Sequence, residues 1–165
     1  MITIRPMRPA DRQPIAEIIK ATDVFSDDEF DVAMELIDIY LGGKAQSDYI
    51  LHVAEKDGVV VGYVCYGPTD CTEGTFDLYW IAVSPSCQGS GIGKQLMAFT
   101  EREVASKGGR IVIIETSSQL KYKPTQDFYL RNGYVVEARV KDFYRNGDDR
   151  LIYTKRIQAA TKEVP

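Results

Sequence analysis

Apolar and polar positions alternate or recur along this chain with periods that assign most of its elements. Thr3–Met7 reads as a short strand. Asp11–Ala21 carries Ile15, Ile18 and Ile19 at helical spacing. Ser26-Asp-Asp-Glu29 is a capping box, so a helix is predicted from there to Leu41, where Gly42-Gly43 stops it. Tyr49–Lys56 and Val59–Tyr66 are two strands around Asp57-Gly58, a hairpin signal. Pro68–Gly74 is a loop and Thr75–Val83 a third long strand, broken by Ser84-Pro85. A helix follows over Gly91–Lys107, then a buried strand, Arg110–Glu115. Pro124 opens a helix that ends at Asn132-Gly133. Tyr134–Val140 and Arg150–Arg156 close the chain as a hairpin around Arg145-Asn-Gly-Asp, and a frayed tail is expected from Gln158.

The predicted order is β-α-α-β-β-β-α-β-α-β-β. Hairpins flank a single β-α-β crossover, Thr75–Glu115. The expected fold class is α/β, a mixed, mostly antiparallel sheet with one parallel β-α-β step. At 165 residues the chain suits one domain. Apolar residues make up 44% and charged residues 27%, with mean hydropathy −0.22, which is ordinary globular composition. No apolar run approaches the roughly 20 residues of a spanning helix, so no membrane association is expected. No signal peptide is visible at Met1-Ile-Thr-Ile-Arg-Pro.

Twenty basic residues against 24 acidic ones give a formal charge of −4, which argues against general nucleic-acid binding. Three cysteines (Cys65, Cys71, Cys87) without a Cys-x-x-Cys pair, and one histidine, His52, argue against a zinc site, so no metal is expected. A reduced, cytoplasmic protein is the expectation. His52 lies in a strand and is read as a strand histidine.

The segment that carries chemistry is Val83-Ser-Pro-Ser-Cys-Gln-Gly-Ser-Gly-Ile-Gly-Lys94. Three glycines at alternate positions link a strand to a helix, where backbone N–H groups and the helix dipole favour an anion. Leu78–Thr100 contains no Asp or Glu, although 24 acids among 165 residues would place about three there by chance. The Walker pattern fails, because Gln88 stands at its first glycine and Gln95 follows Lys94. The dinucleotide fingerprint fails as well, although Glu115 ends the next strand about where a ribose-binding acid belongs.

Gln88-Gly-Ser-Gly-Ile-Gly93 does fit Gln/Arg-x-x-Gly-x-Gly/Ala and resembles the pyrophosphate loop of the GNAT superfamily of N-acetyltransferases. Leu78–Val83 followed by Ser-Pro resembles that family's fourth strand. Phe128-Tyr-Leu-Arg-Asn-Gly-Tyr134 resembles its helix-to-strand element. The resemblance implies a GNAT-like single domain over residues 1–157, with helices on both faces of the sheet and 158–165 as a flexible C-terminal tail.

It also implies a function: transfer of an acetyl group from acetyl-CoA to a primary amine of a small molecule or peptide. Gln88, Gly89, Ser90, Gly91, Ile92, Gly93 and Lys94 would hold the CoA pyrophosphate. Ile81, Ala82 and Val83 would pair with the pantetheine arm, and the Val83 N–H would face the oxyanion. Tyr129 matches the tyrosine that protonates the departing thiolate. Ile-Ile-Glu-Thr-Ser-Ser resembles the segment bearing the catalytic glutamate of the ribosomal-protein alanine N-acetyltransferases, which makes Glu115 the leading base. The other reading of Glu115 is an acid paired with a nearby Lys or Arg. Asp77 and Tyr79 are alternatives for a water relay. The segment from Glu115 to Tyr129 is longer than in that branch, and Thr125 replaces an alanine.

The seven acids of Asp23–Asp38 are read as a solvated helix face; the other reading, which the resemblance implies, is an acidic rim of the acceptor site that attracts a cationic amine or peptide N-terminus. Tyr40, Tyr122, Tyr144 and Tyr153 are candidate pocket residues, and Lys121, Lys123 and Arg131 candidate partners of the CoA 3′-phosphate. Cys87 is read as a packing residue. The C-terminal strands leave room for a homodimer. Two other readings stand beside the enzyme: a CoA or acyl-CoA sensor on the same fold, and a nucleotide-binding domain.

Overall fold

The computed structural model describes residues 1–158. The chain opens with β1 (Ile2–Pro6), a 3-10 turn over Pro9–Asp11, α1 (Arg12–Ala21) and α2 (Asp27–Leu41). The predicted helix from Asp11 starts one residue later because Asp11 closes the preceding turn. Its carboxylate accepts the Arg8 amide at 2.7 Å and the Arg5 guanidinium at 2.7 and 2.9 Å. Arg5 holds that carboxyl below its usual range. The capping box at α2 forms as predicted. Ser26 Oγ accepts the Glu29 amide at 3.2 Å, and the Glu29 carboxylate accepts the Ser26 amide at 2.7 Å. Gly42 caps the far end.

β2 (Ile50–Lys56) and β3 (Val59–Pro68) follow. Asp57 and Gly58 between them both take positive φ, 52° and 83°, the backbone of a tight right-twisting hairpin. Next come β4 (Thr75–Val83), α3 (Ile92–Ser106), β5 (Ile111–Ser117), α4 (Lys123–Arg131), β6 (Val135–Arg145) and β7 (Asp148–Arg156). Several boundaries differ from the sequence reading by one or more residues, and three of these shifts have a visible cause. α3 begins after Gly91, whose φ of 81° is not helical. β5 runs past Glu115 because Thr116 and Ser117 still pair with Leu151 and Arg150. β6 continues past Val140 through a bulge to Arg145. Beyond Gln158, the expected tail falls outside the described residues.

The seven strands are ordered β1-β2-β3-β4-β5-β7-β6. β4 and β5 pair in parallel over Thr75–Asp77 and Ile111–Ile113, the one crossover the pattern foresaw. β1 with β2, β2 with β3, β5 with β7 and β6 with β7 pair antiparallel. The pattern did not foresee that β7, the last strand, would insert between β5 and β6.

The chain clusters into two units, Met1–Pro68 with Leu78–Thr100, and Thr69–Asp77 with the residues from Glu101 onward. The first packs Ile15, Ile19 and Ile37 of its two helices on Leu51, Val53 and Tyr63. Each such side chain, fully buried, contributes about 1.5–3 kcal/mol. The second buries Phe76, Val104, Val112, Ile114, Tyr129 and Tyr153.

Gly62 of β3 sits where a Cβ would lie 2.8 Å from the Ala82 carbonyl oxygen of β4, closer than such atoms can pack. Gly62→Ala should therefore cost about 1–3 kcal/mol of stability. Urea unfolding measures it, and a midpoint equal to the parent's would show that the two strands have room to spare.

Candidate functional site

The end of β4 is shaped by what its backbone bonds to. The Ser84 amide donates to the Val61 carbonyl of β3 at 2.8 Å. Main-chain groups of successive strand residues point to opposite sides. Ala82 therefore faces β3 like Ser84, while the N–H and C=O of Ile81 and Val83 face away from it. Gln88 Nε2, donating to the Val83 carbonyl at 3.3 Å, reaches that outward side. Pro85, without an N–H, opens a 3-10 turn over Pro85–Cys87 and ends the ladder. Ala82 is buried, whereas Ile81 and Val83 are half-buried.

The turn that follows is open. Gly89 and Gly91 have φ of 76° and 81°, and a Cβ at either would meet no atom within 4 Å. The Ser90 hydroxyl donates to the Cys87 carbonyl and the Gln95 amide to the Gly91 carbonyl at 3.0 Å. α3 begins at Ile92, whose buried side chain pins the first turn. The Ile92, Gly93 and Lys94 amides have no acceptor within the helix. That first turn contains no acid. Donors, helix dipole and open space together suit a diphosphate.

In the second unit, Glu115 of β5 is ion-paired with Arg150 of β7, the alternative weighed from the sequence. Tyr129 of α4 is buried, its ring 5.5 Å from Tyr153 and 6.3 Å from Tyr134. Burial, with Tyr153 nearby, pushes the Tyr129 phenol well above its ordinary range, so it keeps its proton at neutral pH. Ile114 pairs with Tyr153 and Glu115 with Ile152. Tyr129, packed on Tyr153, therefore lies on the opposite face of the β5–β7 pair from Glu115.

The remaining candidates fall into place individually. Asp77 accepts a hydrogen bond from Thr69 Oγ1 at 2.6 Å, and Tyr79 meets Tyr49 edge-on at 5.5 Å. His52 is buried between Phe99 and Tyr66, at 4.7 and 6.0 Å, as a strand histidine should be. Cys87 is half-buried, 3.7 Å from Ser86 Oγ. Tyr122 and Tyr153 are buried, while Tyr144 is exposed. Lys123 pairs with Asp127, and Lys121 lies over the Tyr122 ring. Asp38 is held by Arg12 at 2.6 and 2.8 Å.

A cavity of about 760 Å³ lies along α2, lined by Asp31, Met34, Glu35, Asp38, Ile39 and Lys44 among others; three of the acids of Asp23–Asp38 border it, but hydrophobic patterning did not foresee it. Nor did it single out Arg150, which only the β5–β7 register brings to Glu115. Among the described residues, no group of three or more His, Cys, Asp or Glu side chains is placed to hold a metal, and no helix is long and apolar enough to cross a membrane.

The GNAT acetyltransferase domain model matches residues 47–136. An uncharacterized N-acetyltransferase of Methanocaldococcus jannaschii is 31% identical over 108 residues, a stretch that spans 64% of this chain and 65% of that relative. A GNAT-family protein of Desulfovibrio desulfuricans has a crystal structure similar to this fold with a TM-score of 0.91. It is 43% identical, and the match covers 96% of this chain and 100% of that one. An aminoglycoside 6′-N-acetyltransferase complexed with coenzyme A is similar in fold, with a TM-score of 0.74 at 18% identity, over 97% of this chain and 99% of that one.

Tyr129 also makes a thermodynamic prediction. Its folded-state pKa is raised, so the unfolded chain releases that proton first, from about pH 10. Its contribution is whole below that pH and is lost as the pH rises further. Stability measured by urea unfolding should fall between pH 9.5 and 11 (about one decade around the free phenol), and Tyr129→Phe should flatten the fall. Identical slopes for the two proteins would contradict the assignment.

Proposed function

The chain belongs to the GNAT acetyltransferase family, and from that premise we propose that it moves an acetyl group from acetyl-CoA to a primary amine of a small molecule or peptide, by direct transfer. The observation that carries this reading is the open turn at Gly89 and Gly91, set between the end of β4 and the first amides of α3. Acetyl-CoA is the substrate that fits it. A diphosphate needs converging N–H donors and no side chain in the way. The space a Cβ would take at either glycine is vacant.

In this proposal the amides of Gln88–Lys94 bind the pyrophosphate. The outward main-chain groups of Ile81 and Val83 are suited to the two amides of pantetheine, which can lie along a strand as an added one. The Val83 N–H, on that same side, is the donor for the oxyanion of the tetrahedral intermediate.

Two proton transfers remain. A lysine-like amine costs about 4.6 kcal/mol to deprotonate at pH 7, an α-amine about 1.4 kcal/mol. Glu115 is the proposed base, directly or through water. As the C–S bond breaks, the thiolate takes a proton, and the Tyr129 phenol is the proposed donor. Like any tyrosine at neutral pH it enters each cycle protonated, and the burial that raises its pKa is a cost the bound thiolate must offset.

A second reading is a CoA sensor without catalysis, in which the Glu115–Arg150 pair is only structural. The two separate on whether free thiol is released when acetyl-CoA meets a panel of amines.

Gly91→Val should raise the KM for acetyl-CoA about tenfold or more, equivalent to about 1.4 kcal/mol of binding, with a smaller change in kcat. Steady-state kinetics with unchanged KM would remove the loop assignment. Tyr129→Phe should lower kcat by about 10²-fold while CoA affinity, read by calorimetry, stays within a factor of about two. A kcat equal to the parent's would take the acid role from Tyr129.

A further inference from the structure

Arg150 stands at a position where stability alone gives it little reason to be. In the β5–β7 register Ser117 faces Arg150 and Glu115 faces Ile152, so Arg150 is the diagonal neighbour of Glu115 on one face. Its guanidinium reaches the carboxylate. Its Nε is buried without a hydrogen-bond partner among the described residues, an arrangement that costs free energy. The Phe143 ring lies over the guanidinium at 4.7 Å.

Phe143 gets there by a built distortion. The β6–β7 register breaks between Val140 and Arg145, and Asp142 within the break takes φ of 53°. The Asp142 amide donates to Asp149 Oδ1 at 2.9 Å, and its carboxylate accepts the Gly147 amide at 2.7 Å. Asp149 is bonded to Arg139 through its side chain and to Ser118 Oγ through its own amide at 2.8 Å. Ser117 Oγ donates to the buried Asp148. The bulge is thus tied to the chain just after Glu115.

We propose that Arg150, clamped under Phe143, is a positioning residue for Glu115: it fixes the direction of the carboxylate and sets a positive charge beside the group that takes the acceptor's proton. This rests on Glu115 as the base. The other charged groups near that face are acids or lie further along it. Asp77 of β4 shares the face through its partner Ile113 and is bonded to Thr69. Asp148 is held by Ser117, with Arg145 at 3.8 Å. Glu137 of β6 meets Thr154 and Arg156. Arg150 is the cation paired with Glu115, and it opposes the acids.

The test is kcat/KM for an acceptor amine against pH, by thiol release, with thermal midpoint and CoA affinity measured alongside. Glu115→Gln should abolish the acid limb. Arg150→Gln should move that limb up by about one pH unit, a tenfold loss below it, with CoA affinity unchanged. Arg150→Lys should restore most of it, and Phe143→Leu should give a smaller upward shift. If Arg150→Gln does not fold, the Phe143→Leu limb decides: a shift supports the clamp and a limb on the parent's overturns it. A limb lost in Glu115→Gln but unmoved in Arg150→Gln overturns the role of Arg150 while leaving Glu115 the base. A limb that survives Glu115→Gln overturns the base and this inference together.

Discussion

The direction of the Val83 N–H is the constraint on which the rest depends. The Ser84 amide is committed to Val61, which turns the main chain of Val83 to the other side. Gly62 makes this possible by letting the Ala82 carbonyl come close. Pro85 then ends the ladder, and two glycines with positive φ redirect the chain into α3. A strand with one satisfied side, a proline stop and a helix start make the receptor that the proposal assigns to a diphosphate, built from backbone alone. Side chains enter that proposal mainly by their absence, and Leu78–Thr100 contains no acid.

Pleating sets the different surroundings of the two groups proposed for proton transfer. Glu115 and Tyr129 reach from opposite faces of the β5–β7 pair, one open enough to meet Arg150 and Phe143, the other among buried tyrosines. These surroundings suit opposite proton duties. Glu115 has a cation beside it, and the buried Tyr129 phenol stays neutral.

The elements whose cause is local were legible. Ser26 with Glu29, Asp57-Gly58, Pro85 and Asn132-Gly133 each set a boundary by backbone chemistry within a few residues, and the folded chain obeys them. The glycine turn was legible for the same reason. What depends on long-range pairing was not. The insertion of β7 between β5 and β6 couples Ser117 to Arg150 across a hairpin, and no pattern within either strand encodes that neighbour. Arg150 therefore stayed hidden, and Glu115 could be named only with its alternative beside it. The bulge that lays Phe143 on Arg150 needs Asp142 to take positive φ, which aspartate permits but does not announce.

The most direct measurement of the central claim is an amide chemical-shift titration with coenzyme A. The account predicts that the N–H signals of Gly89, Gly91, Gly93 and Lys94 move most, joined by Val83, and that pantetheine, which lacks the diphosphate, shifts Val83 and leaves the glycines where they were. Coenzyme A that binds while those glycine amides stay unmoved would contradict it.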